Sequence, residues 1–88
     1  MTSPFMHFLS KSHAIEVLMD IGENEGKPPA EYFNHERIRF LRFRDLRDLG
    51  LLRIEGDQAN IFKSKAFLSE EGRRVYEHLV AIDREGVE

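Results

Sequence analysis

The stretch Arg37–Leu52, RIRFLRFRDLRDLGLL, limits what this chain can fold into more than any other. It reads as a helix from about His35 to Leu49. Its end is well marked, because Gly50 stands where a left-handed C-cap belongs and Leu51 returns the chain to a core. Between Arg37 and Arg47 it carries five arginines and one aspartate, a net +4 on a chain that sums to −3. An element that positive on an acidic chain either faces an anionic partner or is neutralised by its own neighbours. Phe40, Phe43, Leu46 and Leu49 step by three along one broad apolar face. Arg37, Arg44 and Asp48 lie opposite, with Ile38 and Leu41 among them.

Eighty-eight residues suit one domain with a single small core, spanning residues 1–88, and leave little room for an enzyme cleft with its own supporting shell. The chain has no cysteine, which removes a disulfide scaffold and a thiolate zinc site and fits a reducing cytoplasm. No apolar run nears the roughly 18–20 residues a membrane span needs. MTSPFMHFLSKSH has neither the basic leader nor the long apolar centre of a signal peptide. A soluble cytoplasmic domain is expected.

Residues 1–9 form a short apolar extension, in which Phe5, Met6, Phe8 and Leu9 are costly to leave in water. They fold over the domain's own core or pack against a second subunit. A first helix is expected over residues 10–22, capped by Ser10 or Ser12, with Ala14, Leu18 and Ile21 at i, i+4, i+7. Ile15 and Val17 widen the stripe, Glu16 and Asp20 fall outside it, and Gly22 with Glu-Asn-Glu-Gly ends it. Pro29–Phe33 suits a very short helix with proline in its first turn. Asn34 is a candidate break and cap for the arginine helix. Leu52–Glu55 alternates as a strand, Gly56-Asp57 turns, and a second strand from about Ala59 to Leu68 completes a hairpin over residues 52–68. Ser69, followed by two acids, opens a closing helix over residues 69–84, with Val75, Tyr76, Leu79, Val80 and Ile82 as its apolar positions.

Two motifs in this order resemble the winged helix-turn-helix DNA-binding regulators. Phe43-x-x-Leu46-x-x-Leu49-Gly50-Leu51-Leu52 looks like the end of a recognition helix running into the first wing strand. Phe67-Leu68-Ser69-x-x-Gly72-x-x-Val75 is similar to the wing-to-helix junction of MarR-, PadR- and HxlR-type regulators. The resemblance covers roughly Ser10–Ile82. It implies an α+β, mostly helical fold with a two-stranded wing, and a dimeric regulator that binds double-stranded DNA. The stretch between the first helix and Gly50 is shorter than usual in the family. Arginine and phenylalanine also stand where small and hydroxyl residues are usual.

Roles are therefore assigned by chemistry. A helix fits the major groove, and the arginine fork suits guanine or phosphate. Arg37 and Arg44, two turns apart, are the candidate readers. Asn34 and His35 sit at the start of the helix, and Arg39 and Arg42 on its flanks, where they would meet phosphates. Arg53, Lys63 and Lys65 would let the wing hold the backbone. Arg47 is read as structural. Phe5, Phe8, Val75, Tyr76, Leu79, Val80 and Ile82 are the candidate dimer surface. The alternative is a protein-binding module whose arginine face meets an acidic partner. A self-braced helix is also open, since Arg42 can reach Asp45 and Arg44 can reach Asp48. His7, His13, His35 and His78 have no ligand spacing, Glu23 and Glu25 read as a solvated loop, and no phosphate-binding glycine loop is present. No enzyme, metal or cofactor is implied.

Overall fold

Apolar side chains at helical spacing need a common interior, and the computed structural model, which describes residues 4–57 and 59–86, shows where it forms. Met1–Ser3 of the expected extension, Gln58 of the wing and the last two residues of the expected domain lie outside the described residues. The order is α1 (Pro4–Leu9), α2 (Ala14–Glu23), α3 (Pro29–Phe33), α4 (Arg37–Asp48), β1 (Leu52–Gly56), β2 (Ser64–Leu68) and α5 (Glu70–Gly86). Ala14, Val17, Leu18 and Ile21 of α2 are all buried. Around them gather Phe8, Tyr32, Phe33, Phe43, Leu46, Leu51, Leu52, Ala66 and Leu68. This is the α+β winged-helix arrangement expected from the order of elements.

α1 settles the question about the N-terminal segment in one direction for Phe8. It is 2% exposed and belongs to the domain's own core. It cannot also serve a dimer surface, and that expectation is corrected. Ser10 does not cap α2, because its Oγ donates to the His7 carbonyl at 2.6 Å and closes α1 instead. The chain then turns through His13 at φ 66°, and α2 starts at Ala14 without a side-chain cap.

Gly22 does not stop α2, which continues to Glu23. A β-carbon at Gly22 would fall on the ring of Tyr76, so the glycine lets α5 approach closely. The following loop is tied down at several points. Glu25 Oε2 accepts the Leu68 N–H at 2.9 Å, and its other oxygen pairs with Arg73. The Gly26 N–H donates to the Ala66 carbonyl, and the Ala66 N–H to the Lys27 carbonyl, both at 2.9 Å. Lys27 thus adds one bridge to the outer side of β2. The Tyr32 hydroxyl donates to the Asn24 carbonyl and accepts from the Lys27 N–H. Burial raises the pKa of that hydroxyl, which keeps it protonated as a donor. The expected solvated loop is in fact a structural hub.

α4 ends as the sequence predicts. Gly50 has φ 76°, and the Leu51 N–H donates to Leu46 and the Gly50 N–H to Arg47, each at 3.0 Å. These are the paired bonds of a Schellman end. The hairpin is antiparallel, with Leu52 opposite Leu68 and Gly56 opposite Ser64. Leu52, Ser64, Ala66 and Leu68 are buried, while Arg53, Glu55 and Lys65 are exposed. The second strand is shorter than the expected Ala59–Leu68. Asn60 accounts for this: its Oδ1 accepts the Phe62 N–H, and its carbonyl accepts the Lys63 and Ser64 N–H groups and the Ser64 hydroxyl. An Asx turn therefore takes residues whose alternation resembles a strand.

Ser69 opens α5 as expected. Its Oγ accepts the Gly72 N–H at 3.1 Å and donates to the Gly50 carbonyl at 2.7 Å, clamping the two ends of the wing together. A β-carbon at Gly72 would overlap the Leu51 carbonyl oxygen, a backbone atom with no rotamer to escape into. Gly72→Ala is therefore expected to lower stability by about 1–3 kcal/mol, the range for overpacked sites. Thermal unfolding followed by circular dichroism measures it.

Candidate nucleic-acid interface

Helix period alone divides the arginines of α4, and the structure completes the division. Arg39 stands i−4 to Phe43 and i−7 to Leu46, on the stripe that faces inward, and it is 7% exposed. Its Nε donates to the Tyr32 carbonyl at 2.7 Å. Its two terminal nitrogens reach Glu16 at 3.0 Å and Asp20 at 2.7 Å on α2. A guanidinium held on three sides and almost wholly buried cannot turn out to meet a phosphate. The expected DNA role of Arg39 is corrected: it ties α2, α3 and α4 together.

Arg42 is also drawn inward. It pairs with Asp45 as the i, i+3 spacing predicts, and Asp45 takes Lys11 from the α1–α2 loop at 3.3 Å. Only 13% of the Arg42 side chain is exposed, so its reach toward a backbone is small. The expected Arg44–Asp48 pair is absent among the described residues. Asp48 lies instead 3.9 Å from Arg47.

The outer face of α4 carries Arg37, Phe40, Arg44, Arg47 and Asp48, all exposed. Arg37 and Arg44 make no ion pair among the described residues, and both are exposed. Arg47, expected to be structural, joins them. Phe40, expected on the apolar face, also comes out to the solvent side. It meets Phe33 edge-on, with ring centroids 5.1 Å apart. The spacing 37, 40, 44, 47 is itself a helical stripe, and reading it as such would have placed Arg47 and Phe40 on the outside.

Asn34 and His35 are exposed immediately before α4. Both are left-handed, with φ 49° and 60°, a conformation asparagine tolerates better than histidine does. Asn34 thus closes α3 rather than capping α4. The cap position belongs to Glu36, whose side chain makes no capping bond. The first N–H groups of α4 are accordingly open beside Arg37, the polarity that favours an anion at a helix start.

Between α4 and the wing runs a groove lined by Pro29, Phe33, Phe40, Phe43, Ile54 and Ile61, with Arg44 and Arg47 at its rim. The wing tip folds back over α3, where the Ala30 N–H donates to the Ile61 carbonyl at 3.2 Å. Of the expected wing cations, Lys63 and Lys65 are exposed, but Lys63 lies in the tip turn rather than on the strand. Arg53 is stacked over the Phe67 ring at 4.6 Å and paired with Glu55.

The candidate dimer residues separate into two sets. Phe5, Val75, Leu79 and Ile82 line an apolar groove between α1 and α5, together with Leu9 and His78. Tyr76 and Val80 lie round the helix from them, with Glu77 and Ala81. Among the described residues no cluster of three or more His, Cys, Asp or Glu side chains has metal-binding geometry. No helix among the described residues is long and apolar enough to cross a membrane.

No family model matches the chain, and no curated protein resembles it in sequence. Solved structures do resemble it in shape. The transcriptional regulator SlyA superposes at TM-score 0.70 with 18% identity, covering 88% of this chain. Streptococcus pneumoniae FabT, solved in complex with DNA, superposes at 0.73 with 12% identity over 97% of this chain. A possible HxlR family transcriptional factor from Thermoplasma volcanium GSS1 superposes at 0.73 with 20% identity over 96%. The chain spans 58% of the SlyA chain, 61% of FabT and 78% of the HxlR-type protein. The described residues thus adopt the winged-helix fold that these three proteins share.

Proposed function

We propose that this protein binds double-stranded DNA in a sequence-dependent way, as a homodimeric transcriptional regulator working in the cytoplasm. The outer face of α4 lies in the major groove and the wing rests on the adjacent backbone. The observation that carries this reading is the pair Arg37 and Arg44. They stand two turns apart on the solvent face of α4, exposed and without carboxylate partners among the described residues. Arg47, Lys63 and Lys65 surround them with further exposed cations, and Asn34 and His35 lie at the helix start. The apolar groove between α1 and α5 supports a two-fold partner there, which would present a second α4 to the same duplex.

Binding to random-sequence duplex DNA at two salt concentrations tests the reading. A protomer that neutralises four phosphates is expected to weaken by roughly 150-fold between about 50 and 200 mM salt. Absence of binding at the lower salt would favour a different partner, an acidic protein surface. One observation favours that second reading: the apolar groove of Phe40 and Ile61 lies directly beside Arg44 and Arg47.

A further inference from the structure

Phe62 is the most exposed large apolar side chain among the described residues, at 72%. Its position is fixed all the same. The Asn60 side chain holds the Phe62 N–H at 2.9 Å, and the neighbouring Ile61 carbonyl is bonded to Ala30 of α3. Ile61 lines the groove together with Phe40, Arg44 and Arg47. The aromatic ring is therefore carried outward by an ordered turn that is anchored to the helix pair below. Lys63 follows it and is exposed. Asp57, the acid nearest in sequence, has Oδ1 occupied by the Ala59 N–H at 3.1 Å. A tip with an aromatic apex, a cation beside it and three exposed arginines on the adjoining helix is built for a polyanion that also offers flat apolar surface.

Duplex DNA offers that surface only between base pairs. Proteins that reach it insert an apolar side chain from the minor-groove side, unstack one step and kink the duplex. We propose that Phe62 acts as such a wedge: when α4 occupies the major groove, the wing tip enters the neighbouring minor groove, and the Phe62 ring inserts at one base step. This rests on the DNA-binding reading above and adds a distortion to it. Flexible pyrimidine–purine steps would be favoured at that position without any hydrogen bond to a base, so part of the sequence preference would be read as deformability.

The test uses duplexes recovered from a random-sequence pool by the whole protein, resynthesised with 2-aminopurine scanned across the bound region. The expected result is a several-fold rise in 2-aminopurine fluorescence at one step outside the segment contacted by α4. Phe62→Ala should abolish that rise and weaken binding by roughly 5- to 150-fold, the worth of one lost aromatic–base stack. Phe62→Leu, still an apolar wedge, should keep most of the rise. Phe62 is exposed, so both variants should keep the wild-type circular dichroism spectrum. Binding with no fluorescence rise at any step would overturn the wedge and leave the DNA-binding reading standing. A rise that survives Phe62→Ala would also overturn it. If the pool yields no bound duplex, the DNA-binding reading falls and the wedge falls with it.

Discussion

Arg39→Ala is expected to destabilise the fold by about 3 kcal/mol without touching the exposed cations of α4. The substitution leaves Glu16 and Asp20 facing each other without their common counter-ion, and it strips the Tyr32 carbonyl of its donor. Removing one partner of a buried ionic network costs about 3–5 kcal/mol. The low end applies because the Glu16 side chain is 61% exposed and water screens it. For a domain of this size, the melting temperature should fall by about 12–24 °C. Arg39→Lys should recover less than half of the loss, since an ammonium cannot address two carboxylates and a carbonyl from one planar fork. At a temperature where the variant remains folded, its DNA affinity should match the wild type. A large loss of affinity in the folded variant would return Arg39 to the reading face.

The double reversal Arg37→Glu/Arg44→Glu should give the opposite pattern. Both side chains are exposed and make no ion pair among the described residues, so stability should change by no more than about 0.5 kcal/mol per site. A bidentate arginine contact is worth about 1–3 kcal/mol, and each glutamate adds repulsion from the phosphates. DNA affinity is expected to fall by at least about 100-fold. The slope of log affinity against log salt should become shallower by about two per protomer. Fluorescence anisotropy with a labelled duplex reads both quantities. Undiminished binding would move the reading face away from α4.

These three arginines show what can and cannot be read from the sequence. Helical position puts Arg37 and Arg44 on the outer face, and both are exposed. Arg39 is hard to place from sequence because arginine is rarely buried, although its spacing to Phe43 and Leu46 matches an inward stripe. Its partners, Glu16 and Asp20, lie one turn apart on α2, and sequence gives no sign that α2 and α4 cross there. Local signals served well where local chemistry decides. Pro29 opens α3, Gly50 closes α4, and Ser69 with Gly72 opens α5. They failed where a distant partner decides. Glu25 bonds to residues 43 and 48 positions away, and no pattern within its own loop shows this. Ile61 and Phe62 have strand-like character, yet one asparagine side chain holds them in a turn.

A two-stranded sheet has two open edges, each able to pair with a strand from another chain. Here one of them is closed by the chain itself. Lys27 occupies the outer side of β2 at Ala66, and the Glu25 carboxylate takes the next free amide, at Leu68. Among the described residues no strand pairs with the outer side of β1, but Arg53 and Glu55 stand exposed along it as charged guards. The four-residue link between α2 and the prolines thus acts against edge-to-edge aggregation. Glu25→Ala, and deletions that shorten this link, are expected to expose the edge before they unfold the core, so that aggregation measured by light scattering rises while the melting temperature changes less.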